Sequence, residues 1–526
     1  MTKKANFASF QDEVSWKIMP QTFKDTIIIV LQLGYRHLWI DSLCIIQDDS
    51  LDWERESSKM ADIYANSVLT IYAARSTEAN DGVFHKKFIP FDESSKPHVL
   101  GQPRNLEEDL VKIKFRQPCG KSLDVYVRQH YHDFIDGSDL AMSRSALDKR
   151  AWAFQETTLS TRILYFKEAE LMWECKDAFE CECGESALAN VEYQEYRNKC
   201  MDEIGFGSFE LFNPEGNINE GLPESCTLSF WSNVVFEYCR RRLTYQTDIL
   251  PALSGVAKRL QRPSLGAYLA GMWEHELPQS LWWIVSGHHK FADETFLERR
   301  ESRVRRNYLA PSWSWASGPY SLSSGDWGKD PFIARCRILG YRCTPSGEDP
   351  TGRVSGGHIT VAGRLLHLKF LKAPSYLDEK SRGARLSWDE DPFRLNLAVD
   401  DLNLPWRASL LRSLEGRRTK WKEQPANWNV VELYLQLEDF ALLRSLGEAA
   451  TYTLLRIGAQ PTRNESREYF HAILLKSSES HPGSYERLGT IDGRSITDID
   501  TFYSRRAYEI MTEHFENAHD ATVTIV

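Results

Sequence analysis

Glu56 is the acidic residue whose position most needs explaining. On a helix through Asp52–Asn66, Trp53, Glu56, Met60, Ile63 and Tyr64 fall within one stripe of roughly 100°. A carboxylate inside an apolar stripe is costly unless it is paired or used. Two readings stand: chemistry on a bound substrate, or a hydrogen bond to a neighbouring loop. Desolvation there raises the pKa unless a charged partner or backbone donors hold the group ionised. Asp41 is the second such carboxylate. On an extended segment it shares a face with Trp39, Leu43 and Ile45, near the edge of the sheet where open α/β layers bind ligands; alternatively it caps a helix or accepts from an arginine such as Arg150. Cys44, with His37 and Asp41 close by, has the residue types of a nucleophile set. Strand parity places His37 on the opposite face, however, and a buried cysteine behaves as a small hydrophobe.

Other chemistries are excluded by spacing. Cys175, Cys181 and Cys183 lack the paired C-x-x-C of a zinc site, and no histidine lies nearby. No metal is expected. Neither a P-loop nor a G-x-G-x-x-G after a strand occurs, so phosphate cradles of those types are absent.

The elements that must position these residues follow from periodicity. Pro20–Leu33 reads as a helix: Phe23, Ile27, Val30 and Leu31 share a face, and Gly34 supplies the stop. His37–Ile46 is apolar on both faces and predicts a strand inside a covered parallel sheet. Asp52–Asn66 predicts a helix with Asp52 as its N-cap, and Leu69–Ala74 a second buried strand neighbouring the first. Helix, strand, helix, strand is the order of an α/β layer fold. Arg150–Trp173 predicts a helix and then a strand pair, and Trp231–Trp283 is helical in pattern. Beyond residue 330 the runs FIARCRILGY, HITVAGRLLHLKFL, VVELYLQL, TYTLLRIG and YFHAILLK predict a β-rich C-terminal domain, with 376–430 as an insert.

At 526 residues the chain is too long for one core. Its net charge of −10 argues against a phosphate-backbone binder. The one basic cluster, Arg299–Arg306, is flanked by acidic residues and reads as a solvated loop. There is no run of about 18 apolar residues and no signal-peptide core at the start. Ten scattered cysteines fit reduced thiols, so the expected location is cytoplasmic, without nucleic-acid or membrane partners.

Several blocks carry a family resemblance: MPQTFKD at Met19–Asp25, GYRHLWIDSLCIIQDD at Gly34–Asp49, DWERESSKMADIYANS at Asp52–Ser67, LTIYAA at Leu69–Ala74, and Arg150, Trp152, Gln155, Glu156, Leu159 and Arg162 in R-x-W-x-x-QE-x-x-L-x-x-R. Together they resemble the fungal heterokaryon-incompatibility (HET) domain. DILPALSGVA, YLAGMW and APSWSWAS, at 248–257, 268–273 and 310–317, look like the extension common in such proteins. The family's opening strand, of the type Y-x-x-LSY-x-WG, is not found; MTKKANFASFQDEVSWKI stands there instead. The resemblance implies a HET domain over 1–175, core 19–165 and lacking its first strand, then a helical extension over 176–320 with a polar insert at 184–225, and the β-rich domain over 321–526. It implies a distant relation to TIR domains, hence a flavodoxin-like parallel sheet with helices. Some TIR domains hydrolyse NAD with a glutamate on the helix after a central strand; others are assembly scaffolds. Glu56 would be that glutamate, with Asp41, Cys44, Gln47, Asp48 and Trp53 around the substrate and Arg150, Trp152, Gln155 and Glu156 completing the domain. The implied role is non-self recognition that triggers programmed cell death. NAD is a candidate substrate, no bound cofactor is expected, and protein partners or self-association are.

Overall fold

The structure is a computed structural model, and it describes residues 1–84, 110–116, 122–128, 145–167, 171–175, 178–181, 224–284, 308–318, 322, 332–372, 393–399, 404–410, 430–435, 451–461, 468–492, 512 and 515–526. The chain divides into two compact units, Met1–Asn217 and Ile218–Val526. The basic cluster 299–306, Cys183 and nearly all of the polar stretch 184–225 lie outside the described residues.

The first unit begins with α1 (Phe7–Asp12) and α2 (Gln21–Gln32). Helix α2 has the expected boundaries, and Gly34, at φ +83°, turns the chain away from it. The expected strand His37–Ile46 does not form. Residues 35–40 are irregular, and Asp41–Cys44 makes a single helical turn, α3. The reason lies in where the main-chain donors go: Ser42 donates to the Asp41 carboxylate at 2.6 Å, Ile46 to the Asp52 carboxylate at 2.8 Å, and Gln47 to the Thr2 carbonyl at 3.0 Å. No donors are left for a ladder in this stretch.

Thr2 itself is buried and returns bonds to Ser42 and Leu43. Among the described residues no strand precedes β1, and residues 2–4 instead bind the 42–49 segment.

The helix expected over Asp52–Asn66 is two helices, α4 (Ser50–Ser57) and α5 (Met60–Asn66). Ser57 and Ser58 turn their hydroxyls onto the Glu54 and Arg55 carbonyls, which competes with the helical ladder. The N-cap is Asp49, whose carboxylate accepts from Leu51 and Asp52, rather than Asp52.

Strand β1 (Thr70–Tyr72) lies within the expected 69–74 segment. The short hairpin β2 (Leu110–Arg116) and β3 (Ser122–Arg128) follows it, and then α6 (Ala151–Leu159), β4 (Arg162–Phe166), β5 (Leu171–Cys175) and β6 (Phe179–Cys181). The sheet order is β1-β4-β5-β6; β1 pairs β4 in parallel, and the other pairings are antiparallel. The parallel layer therefore amounts to one parallel pair within a mixed sheet. Both faces are covered. Ala153 of α6 packs with Tyr72, Ala74 and Ile163 on one side, and Ile29 of α2 with Val83 and Phe166 on the other.

A buried carboxylate fastens α2 to the loop after β1. Asp25 accepts from Gln21 at 2.6 Å and from the Val83 main chain at 2.9 Å. Gly82, at φ +76°, makes the approach feasible, since a Cβ there would stand 2.5 Å from the Asp25 oxygen. Asp25→Ala is expected to destabilise this unit by about 2 kcal/mol, because a buried donor loses its acceptor, and urea unfolding measures it.

The second unit holds α7 (Glu224–Cys239), α8 (Pro251–Leu260) and the hairpin β7 (Tyr268–Leu269) and β8 (Met272–Trp273). The helical pattern of 231–283 thus resolves into two helices and a tight turn at Ala270–Gly271, both at positive φ. The Gly271 carbonyl accepts from the indoles of Trp231 at 2.9 Å and Trp315 at 2.8 Å. The strands that follow are β9 (Ile333–Ala334), β10 (Cys336–Pro345), β11 (Val354–Lys372), β12 (Phe393–Val399), β13 (Leu404–Leu410), β14 (Val430–Leu435), β15 (Thr451–Pro461), β16 (Glu468–Ser477), β17 (Tyr485–Asp492) and β18 (Asp520–Ile525). The pairings β11–β14–β13–β12–β17–β16–β15 return to β11, which closes a barrel. The region 376–430 is therefore not simply an insert: it supplies β12 and β13. Arg487 on β17, 5% exposed, donates to the carbonyls of Leu281 and Trp283 and lies 3.5 Å over the Trp283 ring.

Glu276, in the short turn after β8, is buried, and burial pushes its pKa up to about 8. The unfolded chain releases this proton near the ordinary glutamate value of about 4.3. Between these two values the folded state binds more protons, so its stability falls as pH rises. The unfolding midpoint of this unit is expected to drop from about pH 5 to about pH 8, and Glu276→Gln to flatten that slope.

Candidate functional site

Residues expected to act together separate into three places. Gln47 and Asp48, both exposed, hold the N-terminal segment: Gln47 binds Thr2, and Asp48 accepts from the Lys4 main chain at 2.7 Å. Cys44 is an exposed free thiol at the end of α3, not a buried strand residue.

Glu56 occupies the second place. The break between α4 and α5 removes it from the stripe that contained Met60, Ile63 and Tyr64. Its side chain is 21% exposed and pairs with Lys59 at 2.8 Å and Arg55 at 3.1 Å. The Lys59 ammonium, with Arg55, holds its carboxyl below the usual range against the opposing effect of burial. It is a charged, reachable carboxylate rather than a desolvated one.

The third place is where α5 meets α6. The Tyr64 hydroxyl donates to the Glu156 carboxylate, with Asp41 and Arg150 within electrostatic reach, and burial, then the two carboxylates, push its pKa well up. Trp39 meets the Tyr64 ring edge-on, centroids 5.7 Å apart. On the same helices Trp53 and Trp152 form a second edge-on pair at 6.0 Å. Trp152 and Glu156 are one helical turn apart on α6, so the indole pair and the polar group share a face. Gln155, one residue round the helix, is fully buried. The structure thus joins Asp41, Arg150, Trp152 and Glu156 around a tyrosine.

Tyr64 and Trp39 were not singled out as site residues. Their signal was present: each is a large aromatic beside a carboxylate-bearing element, but pairing across 92 residues leaves no local trace.

Chemically, a neutral tyrosine hydroxyl between two carboxylates and a guanidinium is a hydrogen-bond donor whose acceptor can take up or release a proton. Half-buried indoles beside it offer flat apolar contact to a ring. No group of three or more metal-ligating side chains occurs among the described residues.

All of these residues lie within one segment. Residues 2–156 match the family described as Heterokaryon incompatibility protein (HET). The segment is a HET domain. No curated protein and no solved structure matches the chain. The HET match ends at Glu156, so the helix carrying Trp152, Gln155 and Glu156 belongs to the domain, and its pairing with Tyr64 is internal to it.

The two carboxylates make different stability predictions. Glu56→Gln is expected to cost under about 1 kcal/mol, as partly exposed pairs do. Tyr64→Phe is expected to cost about 1.5 kcal/mol, since a charge-assisted bond in a sheltered place is lost. Denaturant unfolding of the two variants against wild type checks the order.

Proposed function

We propose that this protein acts in heterokaryon incompatibility, with the HET domain as the effector that triggers programmed cell death after non-self recognition. The match of residues 2–156 to the HET family carries the reading. The α5–α6 cluster supports it by giving the domain a defined polar site flanked by aromatic rings. The protein acts in the cytoplasm through protein partners or self-association. No helix among the described residues is long and apolar enough to cross a membrane.

Glu56 favours a second, narrower reading in which the domain, like some TIR domains, cleaves NAD. A carboxylate held ionised and partly exposed is the kind of group that stabilises positive charge developing on a ribose as nicotinamide departs.

Expression of the full chain in a fungal recipient tests the first reading, with cell death as the expected result; unimpaired growth at confirmed expression would remove it. Incubating the purified protein with NAD tests the second. Nicotinamide release that Glu56→Gln lowers at least about a hundredfold supports cleavage, with Glu54→Gln as the neutral control. A Glu56→Gln protein that kills as well as wild type leaves a non-catalytic signalling module.

A further inference from the structure

The carboxyl ends of β1 and β4 form the opposite end of the strand pair from the α5–α6 cluster. Arg75 follows β1 by three residues, and its N–H donates to the Phe166 carbonyl at 2.9 Å. It therefore stands against the last residue of β4, and the next residue on that strand is Lys167. The Lys167 ammonium lies 5.8 Å from the centre of the Tyr165 ring. Two cations thus share one end of a parallel pair.

Arg75 is half-buried, and its Nη1 is sheltered from solvent with no hydrogen-bond acceptor among the described residues. An arginine present only to pack its stem would keep its head in water. Here part of the head is withdrawn from water without compensation, which is costly for a charged donor. The surrounding carboxylates are engaged elsewhere. Asp25 accepts from Gln21 and Val83, Asp81 from Thr77 and Glu78, Asp148 from Tyr72 and Ser145, and Glu174 from Tyr165. The carboxyl end of parallel strands is where α/β sheets receive ligands. A guanidinium in a partly desolvated place binds an oxyanion through two parallel N–H bonds.

We propose that this end of the sheet binds a compact oxyanion, the phosphate or carboxylate of a small molecule, with Arg75 as the receiving side chain and Lys167 as the second cation. The inference stands apart from the incompatibility reading, because its test reads binding and not cell death.

The test uses the full chain with inorganic phosphate and acetate as probes, each against chloride at matched ionic strength. The readouts are the thermal unfolding midpoint and calorimetric titration. At least one probe is expected to raise the wild-type midpoint. Arg75→Gln should bind that probe at least about tenfold more weakly, Arg75→Lys should retain part of the affinity, and Lys167→Gln should lose less than Arg75→Gln. Circular dichroism confirms that each variant is folded. Tighter phosphate than acetate assigns a phosphate-bearing ligand, and the reverse a carboxylate. Absence of any shift in wild type, or an equal shift in Arg75→Gln, overturns the site. Should Arg75→Gln fail to fold, undiminished binding by both Arg75→Lys and Lys167→Gln overturns it.

Discussion

The parallel pairing of β1 with β4 is the contact on which the first unit depends. Its register sets Thr70 against Ile163, Ile71 against Leu164 and Tyr72 against Tyr165. A buried hydroxyl pair, Thr70 with Ser160 at 2.6 Å, marks where it begins. Parallel strands enter from the same side, so the helices that precede them must also lie side by side. Helix α5 ends three residues before β1 begins, and α6 two residues before β4. Tyr64 and Glu156, each six residues upstream of its strand's first residue, are brought together by that register and by nothing local. The same constraint acts at the far end, where Arg75 meets Phe166. A one-residue slip would turn every β4 side chain to the opposite face and undo both ends together.

How legible this was depends on where each segment's bonds go. Helix α2, strand β1 and the α6–β4–β5 run could be read because their apolar residues repeat with the period of the element they form, against one face or both. The segment 37–46 has the same composition and was misread. Its apolar residues pack, but its donors are taken by the Asp41 and Asp52 carboxylates and by Thr2. Bonds to side chains and to distant residues carry no period. The misplacement of Glu56 follows from a similar cause, since its apolar stripe assumed an unbroken helix through two serines that instead bond backward. Of the barrel, the strands with long apolar runs were visible; β12, β13, β17 and β18 were not, because they are completed by partners elsewhere in the chain. For the site, Asp41, Arg150, Trp152 and Glu156 were legible through the family blocks, while their meeting at Tyr64 was a property of the strand register.

Charge management separates the domain's fixed parts from its available ones. Asp25, Asp49, Asp52 and Asp148 each accept main-chain or side-chain donors that tie one segment to another. Such carboxylates are structural because their lone pairs are filled. In the second unit Arg487 has the equivalent role with the signs reversed, a cation whose two carbonyl acceptors bind a distant turn. Against that background two places differ. At one end of the β1–β4 pair a tyrosine, two carboxylates and an arginine meet beside half-buried indoles. At the other a guanidinium nitrogen is sheltered without an acceptor. Polar groups beyond what folding satisfies are costly to keep, and both sets stand where a single strand pair ends. That pair thus forms the domain's core while presenting its unspent polarity at its two ends, anionic at the amino side and cationic at the carboxyl side. A ligand that bridged the two would have to span the length of β1, about 10 Å for three residues in extended form, so the two ends are separate subsites for any small group.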